Sequence, residues 1–466
     1  MPPAAKADQK PGFEIKLLTM GGLSPQAAKS WLGSAPKLRN SFAADSAACQ
    51  KFWRAGAKLR AELPARAACN EDQARAVHIV NTRQRNLRDQ FLAAHAEALY
   101  GKLTNNRKNF VRVERMVLDC ARLVPGLLPN EKELAAEAPL TLKDKERIEI
   151  DQGLFLAHVL ANETTGRHLC HAMLLPRPES LELLPRLIRD GSIDLGRAML
   201  TRQGKASVVE MRNPRFLNAM DDSTLDPIET AIDLAILDPQ TEIGVLRGGV
   251  VDHPKYAGRR VFSSGINLTH LYQGKIRYLW YLIRDFGFVN KFYRGVAFPE
   301  ASPEVKSAEK LWIAAVEGFA IGGHCQILLT MDYILATEDA YLTLPARKEG
   351  IIPGAANLRL PRFVGDRIAR QAILAELRID CASPAGRLIC DEIVAPERME
   401  ARLSEIVERL TSSGVVSAAG NRRAFRAGEE PLDTFRRYMG VYAREQAYCH
   451  FSPALVANLE KNWKRK

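Results

Sequence analysis

Two short segments hold the residues with the clearest chemical potential: Val261-Phe262-Ser263-Ser264-Gly265-Ile266-Asn267-Leu268 and Val316-Glu317-Gly318-Phe319-Ala320-Ile321-Gly322-Gly323-His324-Cys325-Gln326. Each follows a predicted strand and runs into a predicted helix start. Backbone N–H groups at a helix start have no internal acceptor and sit at the positive end of the macrodipole, so they are ready to bind negative charge. Two such groups converging on one carbonyl oxygen form an oxyanion hole, where a single donor is worth about 3 kcal/mol in the transition state. Either turn alone is more often merely structural; the pair, in this order, carries the expectation.

The elements around these turns fall into three stretches. From about residue 40 to 202 apolar residues recur at three and four residue intervals, as in Phe91, Leu92, His95 and Leu99, which predicts helices. Pro36, Asn70, Pro125, Pro129 and Gly153 punctuate them into several helices of ordinary length. Near Gly204 the texture changes: short β-branched runs at 206–211, 243–247, 260–264, 311–316 and 333–336 alternate with helical patterns such as Pro227 to Leu237, predicting an α/β layered core. From Glu397 the spacing is helical again, and Phe435, Tyr438, Tyr442, Tyr448 and Phe451 are either core or a face for a neighbouring subunit. The expected organisation is a helical domain over 1–203, a core over 204–395 and a helical carboxy-terminal region over 396–466.

With 46% apolar and 26% charged residues among 466, the chain has the balance of a globular protein of two or three domains. The first twenty residues, with Lys6, Asp8, Lys10 and Glu14, lack the apolar stretch of a secretory signal. The longest apolar run, Leu311 to Ala336, is interrupted by Glu317, His324, Gln326 and Asp332, so buried core is expected and no membrane span. Eight cysteines without a C-x-x-C pair fit a reducing, cytoplasmic setting rather than a zinc ribbon or disulfide framework. A net charge of +12 favours an anionic partner, for which a nucleotide-bearing substrate suffices without nucleic acid. His158, His168, Cys170 and His171 cluster in sequence, but no acidic or thiolate pattern accompanies them, and no metal is expected there.

Taken together, the two turns resemble the crotonase (enoyl-CoA hydratase/isomerase) superfamily, whose pattern is an A-G-A-D-like turn followed by G-x-A-x-G-G-G. The resemblance runs from about Ala206 to Val394, through Leu344 to Ala355 and Cys390 to Val394. It implies a crotonase-like spiral core of ββα units, a coenzyme A thioester as substrate, and oxyanion donors at the backbone N–H groups of Ile266 and Gly323. It also places Arg260, assisted by Arg259, near the coenzyme A phosphates. Hydratases of the family use two glutamates, and those positions hold Gln326 and Ala346 here. An amide does not titrate and alanine has no functional group, so simple hydration is disfavoured. Glu349, three residues further on, is expected to be structural.

A narrower resemblance accounts for these departures. Ser263 to Leu268, Gly318 to Gly323, Gln326, the run Lys348 to Leu360 and the helical amino-terminal half are similar to the 3,5-dihydroxyphenylacetyl-CoA 1,2-dioxygenase family. That resemblance implies oxidation of an arylacetyl-CoA by O₂ through an enolate, with no metal or organic cofactor, giving an arylglyoxylate and free coenzyme A. It places Leu268 beside an O₂ pocket, Gln326 near the thioester and Arg284 on a ring hydroxyl. Met220 stands where a pocket glutamate is expected, so the ring contact falls to a different group or the ring differs. Asp221 and Asp222 are alternatives for that contact, though capping the following helix suits them better. A homotrimer or homohexamer is implied by the resemblance alone. Other crotonase reactions (thioesterase, isomerase, decarboxylase) and a non-catalytic acyl-CoA-binding or RNA-binding relative are the competing expectations.

Overall fold

The computed structural model describes residues 11–463; Lys6, Asp8 and Lys10 lie outside them. Side-chain caps set several helix starts in the amino-terminal part. Asn70 and Gln73 form a reciprocal capping box that opens Glu71–Leu103, and Asn130 with Glu133 repeats the device for Glu131–Glu137. The helices are not all of ordinary length: Glu71–Leu103 runs 33 residues, because nothing between its caps breaks the pattern. Ile150–Ala161 is buried on nearly every side, with Leu154, Phe155, Leu156, Val159 and Leu160 fully covered. Gly153, expected as a break, lies inside this helix and permits a close approach instead: a β-carbon there would come 2.5 Å from Ala447 Cβ and 2.8 Å from the Ala443 carbonyl.

The core is built on a seven-stranded sheet in the order Ser192–Asp194, Ala198–Gln203, Ala206–Met211, Ile243–Gly248, Leu311–Val316, Tyr333–Thr337, Glu392–Val394. The first two pairings are antiparallel and the remaining four parallel. A smaller sheet joins Phe319–Ile321 to Tyr341–Thr343 in parallel, with Ile379–Asp380 antiparallel on its far side. Strands are therefore present from Ser192, and the expected boundary at 203/204 falls inside the hairpin of Ala198–Gln203 with Ala206–Met211. The strand expected at 260–264 does not form. Its residues make only isolated bridges, Arg260 to Val250 and Ser263 to Ala320, since the segment crosses between the sheets instead of joining one.

The carboxy-terminal helix Leu432–His450 lies along Ile150–Ala161, so the first and last parts of the chain close on each other. Phe435, Tyr442 and Phe451 are buried within the chain and Tyr438 and Tyr448 half-buried, which assigns these aromatic residues mainly to the chain's own core. Buried ion pairs join the parts as well: Glu229 of the core receives Arg112 at 2.9 Å from the helical region and Lys291 at 2.7 Å. Among the described residues no helix is long and apolar enough to cross a membrane.

Gly153→Ala should force these two helices apart and lower the thermal unfolding midpoint by an amount corresponding to about 1–3 kcal/mol, the usual cost of overpacking. An unchanged midpoint would show that the contact yields freely.

Candidate active site

The two glycine turns lie side by side. Phe262 N–H donates to the Glu317 carbonyl at 2.9 Å, Ser263 N–H to Phe319 at 3.0 Å, and Ile321 N–H back to Ser263 at 3.1 Å. The second turn ends in the helix Gly323–Leu328, whose cap Gly322 has φ 55° and ψ −116°, a conformation that only glycine adopts without strain. This bend makes Gly323 the first helical residue, where the N–H has no intrahelical acceptor. Among the described residues none accepts a hydrogen bond from the Ile266 N–H either. Both expected donors are thus available on adjoining turns.

The loop that carries Met220 and Asp221 also holds the first turn, through Asn218, which the sequence reading gave no role. Asn218 Nδ2 donates to the carbonyls of Gly249 and Val261 at 2.8 Å each, and the Asn218 carbonyl accepts from Ser263 Oγ at 2.7 Å. Leu217 and Asn218 take left-handed φ of 53° and 56° to do this. Asp221 caps Asp222–Leu237 as expected, accepting from the Ser223 N–H at 3.0 Å, and also accepts from Asn267 Nδ2 at 3.0 Å. It is engaged by protein partners rather than by a ring. Met220 is gripped through its backbone, donating to Gly265 at 2.7 Å and accepting from Asn267 at 2.8 Å. No single residue type advertises such a loop; the Asn213, Asn218, Asp221 and Asn267 spacing is its only trace.

Around Gly323 the expected site residues converge. A β-carbon placed there would lie 2.6 Å from Arg284 Nη1 and 3.4 Å from Met220 Cε. Arg284 is buried, binds Asp285 through Nε at 2.8 Å and Nη2 at 3.1 Å, and lies over the Trp280 ring at 4.6 Å. Burial works against its charge, but Asp285 beside it lifts its pKa above the ordinary value. Gln326 is fully buried with both ends of its amide engaged: Nε2 donates to Asp285 Oδ1 at 2.7 Å and Oε1 accepts from the Ala355 N–H at 2.8 Å. It therefore positions Asp285 and Arg284, with one N–H of Nε2 and one lone pair of Oε1 engaged by protein partners. Ala346 adds no polar group.

Leu268 opens the short helix Leu268–Tyr272 and is half-buried. Arg260 is bound to Glu210 at 2.5 Å and to the Gly248 carbonyl at 3.2 Å, and exposed Arg259 pairs with Asp339 at 2.8 Å, so both carry acidic partners already. His158 bonds Asp89 at 2.6 Å, His168 the Tyr100 hydroxyl at 2.7 Å, and His171 the Phe298 carbonyl at 2.8 Å. Among the described residues no three His, Cys, Asp or Glu side chains are grouped to hold a metal. Two hollows of about 480 and 560 Å³ lie away from the turns, the first lined by Arg60, Arg88 and Asp151, the second by Lys205 and Glu400; neither includes a residue of the two turns.

Glu349, expected to be structural, faces inward beside the second turn. It is buried, and its Oε2 is 3.7 Å from a β-carbon placed on Gly322, beside the donor turn. Burial pushes its carboxyl up to about 8, with Lys348 opposing the rise and Glu376 adding to it.

A backbone donor pair of this kind, on adjoining turns above a parallel sheet, is the feature shared by enzymes that hold the carbonyl oxygen of an acyl thioester. The enoyl-CoA hydratase/isomerase family matches residues 201–439, and the chain belongs to that family. The (3,5-dihydroxyphenyl)acetyl-CoA 1,2-dioxygenase of Amycolatopsis orientalis is 43% identical over 386 residues, 83% of this chain and 88% of that one. The short-chain-enoyl-CoA hydratase of Clostridium acetobutylicum is 27% identical over 245 residues, 52% of this chain and 86% of its own. A crystal structure of an enoyl-CoA hydratase from Mycobacterium avium subsp. paratuberculosis aligns with a TM-score of 0.48 at 21% identity, covering 59% of this chain and 98% of that chain. Few residues follow position 439, so a similarity of 386 residues must reach well into the amino-terminal helices. Both the superfamily expectation and the closer resemblance are borne out.

Gln326→Glu would set a second carboxylate against Asp285 in a buried site, where like charges raise one carboxyl pKa. A folded pKa about two units above the unfolded value of about 4.3 costs about 2.7 kcal/mol, absent below the unfolded value and growing as pH rises. The variant's thermal midpoint should therefore fall furthest below wild type near pH 8 and approach it near pH 5. A gap that does not change with pH would contradict the facing-carboxylate geometry.

Proposed function

We infer that the protein is a cofactor-independent dioxygenase that oxidises an arylacetyl-CoA with O₂, releasing an arylglyoxylate and free coenzyme A. The observation that carries this reading is the 43% identity over 83% of the chain to an enzyme named as such, on a chain whose hydratase carboxylate positions hold Gln326 and Ala346. The atoms balance: both oxygens of O₂ enter the arylglyoxylate, and the two α-hydrogens leave as the acid and thiol protons.

Ile266 and Gly323 N–H groups hold the thioester oxygen as it becomes an enolate oxygen, the position where preorganised donors act most strongly. An enolate conjugated with an electron-rich ring is itself the reductant of O₂, and Leu268 is assigned to the apolar wall of the O₂ pocket. Arg284 is fixed by Asp285 and Trp280 with Nη1 beside Gly323, which supports a contact to a ring hydroxyl. The matching substrate is 3,5-dihydroxyphenylacetyl-CoA, with Met220 lining one side of the ring in place of a charged contact. Assembly as a homotrimer or homohexamer, with exposed Val416 and Phe425 of Val415–Glu429 available for contact, belongs to the same proposal.

With 3,5-dihydroxyphenylacetyl-CoA the purified protein should consume O₂ and release thiol in equal amounts after exhaustive chelation; activity lost on chelation and restored by iron or copper would refute the cofactor-free reaction. Arg284→Ala should weaken kcat/KM for the dihydroxylated substrate more than for phenylacetyl-CoA, by roughly 1.5–3 kcal/mol for a charge-assisted hydrogen bond. Equal losses on the two substrates would remove Arg284 from the ring.

A further inference from the structure

The proposed reaction needs a base for the α-proton, and the two carboxylate positions of the hydratases supply none. Asp285 is held by Arg284 and Gln326, and Asp221 by the Ser223 N–H, Asn267 and His270. Glu349 differs from both. Its carboxyl has no hydrogen bond among the described residues, and its residue is 93% buried by its 7% exposure. A buried polar group without a partner is costly and calls for an explanation.

Its position is closely set. Glu349 ends the short helix Ala346–Glu349, and Gly350 follows at φ 70° with its α-carbon side packed on Leu455, 3.0 Å from a β-carbon placed there. Asn458 Nδ2 donates to the Lys348 carbonyl at 2.8 Å, so the carboxy-terminal helix Pro453–Trp463 pins this turn. Lys348 and Arg347 point outward, exposed, while Glu349 points in. Apart from chain neighbours, Glu349 Oε2 is the one heavy atom within 4 Å of a β-carbon placed on Gly322, so the space between the carboxyl and the donor turn is otherwise open.

The geometry points to Glu349 as the general base that removes the α-proton of the bound thioester, an assignment that rests on the proposed reaction. The α-carbon is bonded to the carbonyl carbon whose oxygen the Gly323 N–H holds, which brings it to the side of the turn that Glu349 faces. In the step the α-C–H bond breaks and an O–H bond forms on Glu349. The electron pair moves into the carbon–carbon bond and the thioester π electrons onto the oxygen held by Ile266 and Gly323. The groups that face Glu349 are Lys348 on its own helix, Glu376 beyond Ala356–Leu374, and Tyr281 from Leu279–Phe286; the carboxy-terminal helix offers Leu455 and Asn458. A base pushed up to about 8 by burial is ionised, and so active, increasingly as pH rises through that value.

The test is α-deuterium incorporation into 3,5-dihydroxyphenylacetyl-CoA in D₂O without oxygen, beside O₂ uptake with the same thioester. Wild type should exchange, with a rate that rises from pH 6 to 9. Glu349→Gln should lose at least about 100-fold in exchange and in O₂ uptake, the usual worth of a positioned base. Glu349→Gln should also gain thermal stability over wild type, more at pH 9 than at pH 5, because a raised carboxyl pKa destabilises the fold only above the unfolded value. Exchange by folded Glu349→Gln at the wild-type rate, or a wild-type exchange rate flat from pH 6 to 9, overturns the assignment. Wild-type exchange lost in Glu349→Gln, with no O₂ uptake by either, keeps the base and overturns the dioxygenase reading.

Discussion

Two backbone N–H groups on adjoining turns, those of Ile266 and Gly323, remain without an acceptor among the described residues, and much of the surrounding structure serves that constraint. A peptide N–H buried in a protein almost always finds a carbonyl, so leaving two of them free requires everything near them to be held elsewhere. Here Gly322 turns the chain so that the helix begins at Gly323, and the Met220 backbone saturates the groups on either side of Ile266 while leaving Ile266 itself alone. Asn218 and Asp221 secure the loop that carries Met220. The donors are thus prearranged by hydrogen bonds made on neighbouring residues, which is the condition for electrostatic stabilisation without reorganisation during reaction.

Buried charge is used with similar economy of direction. Glu229 is held by Arg112 and Lys291, Glu430 by Arg294 and Arg359, and Glu309 by Arg422 and Arg426. Pairs of this kind add little net stability over well-packed apolar residues, but breaking one leaves an uncompensated charge. They therefore act as registers: Arg112 sets the helical region on the core, and Glu430 sets the carboxy-terminal helices against Arg359 and Arg294. The region after 396 then delivers Leu455 and Asn458 to the turn that bears Glu349.

The donor turns were legible in the sequence because their requirements are local: strand, glycine, helix start, twice and in order. The parallel strands were legible as β-branched runs bounded by turn residues, apart from 260–264, whose apolar character reflects burial between sheets rather than pairing within one. Gly153 misled because a glycine that breaks a helix and one that admits a neighbour look alike until the neighbour, Ala447, is placed. Glu349 was illegible for a related reason. Only one residue type and a three-residue offset from Ala346 mark it, and whether it points inward depends on Leu455, more than a hundred positions away in the chain. Gln326 was singled out by its place in the motif, but its bonds to Asp285 and Ala355 are partners that no spacing discloses.

The same geometry explains why the site disfavours water chemistry. A hydratase holds a water between two carboxylates, each presenting a free oxygen. Here one position is an amide whose two polar atoms are already bonded to Asp285 and Ala355, and the other is a methyl group. His324, next to the donor glycine, has neither ring nitrogen bonded among the described residues, and burial pushes its pKa down to about 3, so it stays neutral. Met220 adds an apolar face. What the Gly323 turn has around it is the Ile266 and Gly323 N–H groups, the Arg284 guanidinium fixed by Asp285 and the Glu349 carboxyl, with Met220 as apolar surface. In the proposed reaction such a site would stabilise a carbanion while offering no second carboxylate to position a water, and a stabilised carbanion is left to react with the oxidant that enters.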